Sequence, residues 1–228
     1  MSRNDETCWT VVRGAMNGDT RARGVFAETY LDVVRAYLGA RWRDNQLRQR
    51  LDDAVQDVFM DCFRSDGALG RVDPARQVAF RTFLYGVVRN VALRYEERGG
   101  RGRERQAPST FEVAGVPADD PALSRAFDKA WARSVLARAA ARQEEAAMEE
   151  GAEALKRVEL LQLRFGEGLP IRDIAVKWDD DPARLHHEYA KAREEFKKAL
   201  REVVAFHNPD APRAVEKEVE AILGFLRD

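Results

Sequence analysis

Arginine and aromatic side chains recur at four-residue intervals in one stretch of the chain. At this spacing Arg81, Tyr85 and Arg89 would share one face of a helix. Guanidinium groups pair with phosphates and aromatic rings stack on unpaired bases, so such a face suits single-stranded or melted DNA. A solvated amphipathic helix is the alternative interpretation. The residues predicted to contact DNA here are Arg81, Thr82, Tyr85, Arg89, Asn90, Arg94 and Arg98.

A second basic face follows the outline of a helix-turn-helix. Residues 171–178 form a short segment with one apolar side, and Asp181 followed by Pro182 is a favourable helix start. The second helix of this motif enters the major groove, where Arg reads guanine and Lys and His mostly meet phosphates. An ordinary helical hairpin is the alternative. The predicted packing residues are Ile174, Ala175, Trp178, Leu185, Tyr189 and Phe196. The predicted duplex contacts are Arg184, His186, His187 and Lys191.

The segment 51–63 combines an apolar helix face with an acidic one. Residues 52–66 contain five Asp and one Arg, whereas residues 80–106 contain seven Arg and three acidic residues. The two segments therefore suit partners of opposite sign, although the formal net charge is −1. The predicted apolar face consists of Ala54, Val55, Val58, Phe59, Cys62 and Phe63. The opposite face consists of Asp53, Gln56, Asp57 and Met60.

Motifs that support catalysis are absent from the sequence. It contains no GxxxxGK, GxSxG, HExxH or CxxC element, and Cys8 and Cys62 lie far apart. The three histidines all follow residue 185 and have no obvious nucleophile partner. Sequential carboxylates such as those at 179–181 more often cap a helix than bind a metal. We therefore expect no enzymatic activity, no catalytic residue, no metal and no cofactor.

The composition of the chain favours helices. Of its 228 residues 45% are hydrophobic, and Ala, Leu, Arg and Glu are abundant. No signal-peptide core and no run near the ~20 apolar residues of a membrane span is present, so we expect a soluble, cytoplasmic protein without membrane association. The predicted fold is all-α, with two small helical domains and a flexible linker. The predicted ranges are 9–98 for the first domain, 99–124 for the linker, 125–204 for the helix-turn-helix domain and 205–228 for a tail helix.

Several segments resemble, in the same order, the extracytoplasmic-function (ECF) sigma factors of the sigma-70 family. Residues 80–95, FRTFLYGVVRNVALRY, are similar to that family's promoter-reading helix. Residues 51–59, LDDAVQDVF, are similar to its polymerase-binding helix. Residues 168–175, GLPIRDIA, and 190–196, AKAREEF, are similar to its C-terminal helix-turn-helix. Asp179 to Asp181 stand where the family usually has a Gly-containing turn.

The resemblance implies a role for each segment. The first domain would be similar to sigma region 2, and its acidic face (Asp53, Gln56, Asp57 and Met60) would dock on the β′ clamp helices of core RNA polymerase. Residues 80–98, with the loop 71–79, would recognise and open the −10 element. The second domain would be similar to sigma region 4 and would bind the −35 element as duplex. The tail helix lies outside the family pattern, and its amphipathic sequence indicates that it either packs within the chain or receives a regulator such as an anti-sigma protein.

The function expected from this resemblance is that of an RNA polymerase sigma factor, which directs promoter recognition and transcription initiation. A near-neutral chain fits a protein whose DNA affinity arises largely in complex with polymerase, because a free-standing repressor needs strong phosphate contacts of its own. Two alternatives stay open. One is a stand-alone helix-turn-helix regulator that binds duplex DNA, and the other is a helical interaction protein that does not bind DNA.

Overall fold

The regular elements of the described residues are all helices. The computed structural model describes residues 8–64, 80–100, 121–208 and 212–224. The predicted linker (99–124) and the loop 71–79 lie largely or entirely outside this range. The helices are α1 (Cys8–Met16), α2 (Thr20–Arg41), a 3-10 helix (Gln46–Arg50), α3 (Leu51–Phe63), α4 (Phe80–Gly100), α5 (Pro121–Glu150), α6 (Ala152–Phe165), α7 (Ile171–Trp178), α8 (Pro182–His207) and α9 (Pro212–Gly224). The prediction of an all-α fold is confirmed.

Packing divides the chain into two units. Unit 1 comprises Met1–Ser134 with Phe206–Asp210, and unit 2 comprises Val135–Ala205 with Ala211–Asp228. The divisions differ from the predicted ranges, because α5 begins at Pro121 and its residues up to Ser134 belong to unit 1. Proline suits the first position of a helix, where its missing N–H is not needed. The assignment of a function to each predicted range stays a prediction.

Aromatic side chains form the centre of unit 1. Tyr30 of α2 contacts Phe80 of α4, at 5.0 Å between ring centroids, and Trp131 of α5, at 6.0 Å. The imidazole Nε2 of His207 lies 3.0 Å from the Tyr30 hydroxyl, and all four side chains are buried. Burial of large rings is a major favourable term in folding, so these contacts hold the start of α5 and residues 206–208 within unit 1.

An ion pair fastens the C-terminal end of α2 to α4. Arg41 donates from Nε to Glu96 Oε1 at 2.6 Å and from Nη2 to Oε2 at 2.9 Å. The indole N–H of Trp42 donates to the same Glu96 Oε1 at 3.0 Å. The Arg41 side chain is only 12% exposed. Because the pair is bidentate and partly shielded, it fixes the two helices more strongly than a surface ion pair would.

In unit 2 three consecutive helices pack together at the position where the sequence predicts a helix-turn-helix. The buried cluster of α6, α7 and α8 consists of Leu160, Leu163, Ile171, Ile174, Ala175 and Leu185, with Leu169, Trp178 and Tyr189 packed against it. These contacts include the predicted ones except for Phe196, which is half-buried outside this cluster because it lies further along α8. Gln143 of α5 is also buried and donates to the carbonyl of Ala192 in α8 at 3.0 Å.

The tail helix α9 packs within unit 2. Its apolar stripe of Val215, Val219 and Ile222 is buried, and Glu216 pairs with Arg201 of α8 at 3.1 Å. Of the two alternatives left open by the sequence, the described part of the tail therefore adopts intramolecular packing.

Candidate polymerase and nucleic-acid interfaces

Helix α3 presents a polar face with an exposed methionine. Its opposite face is buried through Ala54, Val55, Val58 and Cys62, as the apolar periodicity predicts. Asp53 and Gln56 are exposed, and the Met60 side chain is exposed although it is apolar (54%). An accessible thioether surrounded by acidic and amide groups offers a partner both charge and apolar area.

The fourth residue of this face, Asp57, is partly engaged inside unit 1. Its carboxylate accepts a hydrogen bond of 2.9 Å from the hydroxyl of Tyr95 in α4. Burial, together with this bond to a carboxylate, raises the pKa of Tyr95 to about 12. One turn further along α3, Asp61 forms an ion pair with Arg94. Helices α3 and α4 are therefore joined by the hydrogen bond of Tyr95 with Asp57 and by the ion pair of Arg94 with Asp61.

The predicted DNA face of α4 is only partly accessible. Thr82 and Arg98 are exposed, whereas Arg81, Tyr85, Asn90 and Arg94 are half-buried. Arg89 is buried, with 6% of its surface exposed. The seven residues thus share one helix, as predicted, but the structure does not bring all of them to the surface of unit 1.

The start of α5 covers part of that face. The Tyr85 ring contacts Phe127 at 5.1 Å between centroids and Tyr37 at 5.6 Å. Arg81 forms an ion pair with Asp128, and the two side chains are 30% and 29% exposed. Sequence reasoning missed Phe127 and Asp128 as neighbours of α4. The sequence shows only an aromatic residue next to an acidic one on an amphipathic helix. This pattern does not identify the surface that Phe127 and Asp128 contact.

The basic face of α8 carries the predicted duplex contacts at the surface of unit 2. Arg184, His186, His187 and Lys191 are all exposed. Asp181 caps the helix, since its carboxylate accepts from the N–H groups of Ala183 and Arg184, both at 3.2 Å. The predicted cap is therefore confirmed.

Acidic residues accompany two of these basic side chains. Asp180 accepts a hydrogen bond of 2.7 Å from Arg184, and this contact lowers the pKa of Asp180. Glu188 accepts one of 2.9 Å from Lys191, which likewise lowers the pKa of Glu188. Sequence analysis did not pair either acid with a particular cation.

Within the described ranges no group of three or more His, Cys, Asp or Glu side chains is placed to hold a metal ion. Cys8 and Cys62 are both buried and form no disulfide, and burial raises the pKa of Cys62. Among the described helices none has the length and apolar character required to cross a membrane.

The exposed acidic residues of α3 and the arginines of α4 lie on neighbouring helices of unit 1. Residues 26–102 match the family model described as Sigma-70 region 2, which extends from α2 through α4 and covers about a third of the chain. No curated protein matches the chain. The matched residues include Asp53, Gln56, Asp57 and Met60 of α3 and the predicted DNA-contacting residues of α4.

Proposed function

We propose that this protein is a cytoplasmic sigma factor of the ECF type that brings core RNA polymerase to promoter DNA and acts by binding rather than by catalysis. The observation that supports it best is the match of residues 26–102 to sigma-70 region 2, which includes both the acidic face of α3 and the arginines of α4. The helix-turn-helix of unit 2 supports a second DNA contact.

The polymerase contact is assigned to α3. Asp53, Gln56 and Met60 lie on one exposed face, where they are accessible to the β′ clamp helices. Asp57 would join them at the edge of the face, since its carboxylate has a second oxygen beyond the one that accepts from Tyr95. Met60 supplies an apolar anchor whose transfer out of water favours binding.

The −10 contact is assigned to α4. In the free chain Thr82 and Arg98 are accessible, whereas Arg81 and Tyr85 are occupied by Asp128 and Phe127. Release of these two side chains costs free energy, which binding to polymerase would offset. This arrangement favours a protein that binds promoter DNA as part of the polymerase complex rather than alone.

The −35 contact is assigned to the exposed face of α8. The N-terminal residues of a recognition helix meet base edges, and Arg184 is the third residue of α8. His186, His187 and Lys191 lie further along the same exposed helix and would contact phosphates.

The proposal is tested with the full chain and purified core polymerase. We expect co-purification of the two proteins and run-off transcripts from a promoter library that core polymerase alone does not produce. A shift of duplex DNA by the chain alone, without a polymerase complex, would instead identify a stand-alone regulator. Absence of both activities would identify an interaction protein that does not bind DNA.

A further inference from the structure

The turn between α7 and α8 holds a carboxylate with three donors. Asp180 has a side chain only 12% exposed and accepts from Arg184 Nη2 at 2.7 Å and from Lys156 Nζ at 3.3 Å. It also accepts from the N–H of Asp181 at 2.8 Å. The preceding Asp179 has φ 52° and ψ 49°, a left-handed conformation that turns the chain between the two helices.

Helix capping does not account for this arrangement, because the neighbouring Asp181 performs it. Asp181 accepts from the first free N–H groups of α8, whereas Oδ2 of Asp180 accepts from the side chains of Arg184 and Lys156. Lys156 of α6 thus helps to fix the position of the Asp180 carboxylate. Its ammonium group also lies 5.0 Å from the centre of the Trp178 ring, so the cation is held by two groups of the same core.

Arg184 is restrained by Asp180 but retains donors for another partner. A guanidinium has five N–H donors, and the contact with Asp180 is made through one nitrogen. The Arg184 side chain remains 53% exposed. We propose that Asp180 is a positioning residue that holds Arg184 in the orientation needed to read a guanine in duplex DNA. This inference rests on the proposed role of α8 in promoter recognition.

Two physical effects would make Arg184, when it is held by Asp180, select guanine over phosphate. A restrained arginine loses less side-chain freedom when it meets a base, so a bidentate contact with guanine O6 and N7 costs less entropy. The negative charge of Asp180 also weakens the attraction of Arg184 to phosphates, which carry no sequence information. Asp180 therefore favours the base edge over the backbone as the partner of Arg184.

The test compares Asp180→Asn with Asp179→Asn. Asparagine at 180 still accepts from the N–H of Asp181 but loses the charge that holds Arg184. Asparagine at 179 removes the same charge from the adjacent residue, and it tolerates the left-handed conformation. Full-length variants are assembled with core polymerase on a duplex promoter library randomised in the upstream element. The base pair that Arg184 contacts is identified as the one at which the Arg184→Ala variant no longer prefers a particular base.

At that base pair we expect the wild type and Asp179→Asn to prefer guanine by about tenfold, and Asp180→Asn by about threefold or less. Thermal unfolding should change little in Asp179→Asn and should occur at a slightly lower temperature in Asp180→Asn, which loses its ion pairs with Arg184 and Lys156. A full guanine preference in Asp180→Asn would overturn the positioning role alone. If no base pair of the upstream element loses its preference in Arg184→Ala, the positioning role is overturned as well. No upstream preference in the wild type would overturn the assignment of α8 itself, and the positioning role with it.

Discussion

The hydroxyl of Tyr95 donates a hydrogen bond of 2.9 Å to the carboxylate of Asp57. This bond joins α4, which is assigned to promoter DNA, to α3, which is assigned to polymerase. The nearby ion pair of Arg94 and Asp61 joins the same two helices. A partner that binds the acidic face of α3 therefore binds a surface whose position depends on α4. The two proposed interfaces are mechanically connected in unit 1.

The Tyr95–Asp57 bond predicts a loss of stability at alkaline pH. The pKa of Tyr95 is raised from 10.0 to about 12, so the folded state favours the protonated phenol. The stabilisation is therefore complete below pH 10 and is lost as the pH rises from 10 to 12. Urea denaturation at several pH values should show a smaller decline over this interval for Tyr95→Phe than for the wild type. An equal decline would contradict the role of this phenol.

Reversal of charge at Asp53 should weaken polymerase binding. The Asp53 carboxylate is exposed and its distance to Arg50 is 3.8 Å, so Asp53→Arg removes little from the fold. We expect the affinity for core polymerase to fall at least about tenfold, because an opposite charge then faces the clamp helices. Asp44→Arg makes the same change at another exposed position of unit 1 and should bind nearly as the wild type does. Equal affinities of the two variants would contradict the docking assignment.

Neutralisation of Asp128 should expose the DNA face of α4. Asp128→Asn removes the ion pair with Arg81. We expect the affinity of the full chain for a single-stranded oligonucleotide to rise a few-fold at low salt. Its salt dependence should steepen by about 0.7 in the slope of log affinity against log salt, as one further phosphate is paired. Asp32→Asn, at an exposed position of α2, is the control for the change in net charge. An equal rise in affinity for the oligonucleotide in Asp32→Asn would show that the effect comes from net charge and not from the Arg81–Asp128 ion pair.

Removal of Glu96 should destabilise unit 1. The carboxylate accepts from both Arg41 and Trp42, and the Arg41 side chain is largely shielded from water. We expect Glu96→Ala to lower the free energy of unfolding by about 2 kcal/mol, the usual cost of losing hydrogen bonds to a charged group. The adjacent Glu97→Ala removes the same charge and should cost about 0.5 kcal/mol or less. Urea denaturation measures the free energy of unfolding of each variant. Equal values for the two variants would contradict a stabilising role for the contacts of Glu96 with Arg41 and Trp42.

Several features of the candidate interfaces could be predicted because they depend on local sequence. The spacing of apolar residues predicts which face of α3 is buried and leaves Asp53 and Met60 outside. Asp181 and Pro182 predict the start of α8 through capping and backbone geometry, which involve only neighbouring residues.

Other features depend on which helices meet, and no local pattern specifies that. Arg89 lies on the stripe predicted to face DNA and is nevertheless buried. Phe127 contacts Tyr85 across 42 positions of the sequence, which periodicity within α5 cannot indicate. An amphipathic pattern identifies an apolar stripe but not the surface that covers it.

The sequence by itself determined that this protein is helical, where α8 begins, and which stretches carry acidic or basic side chains. Those properties follow from backbone capping and from periodicities of a few residues. The tertiary structure alone decided which charges remain available to a partner, because ion pairing requires side-chain atoms to lie a few ångströms apart. The packing of the helices places Asp128 beside Arg81 and Lys156 beside Asp180, and it leaves Asp53 and most of Arg184 open to solvent or DNA.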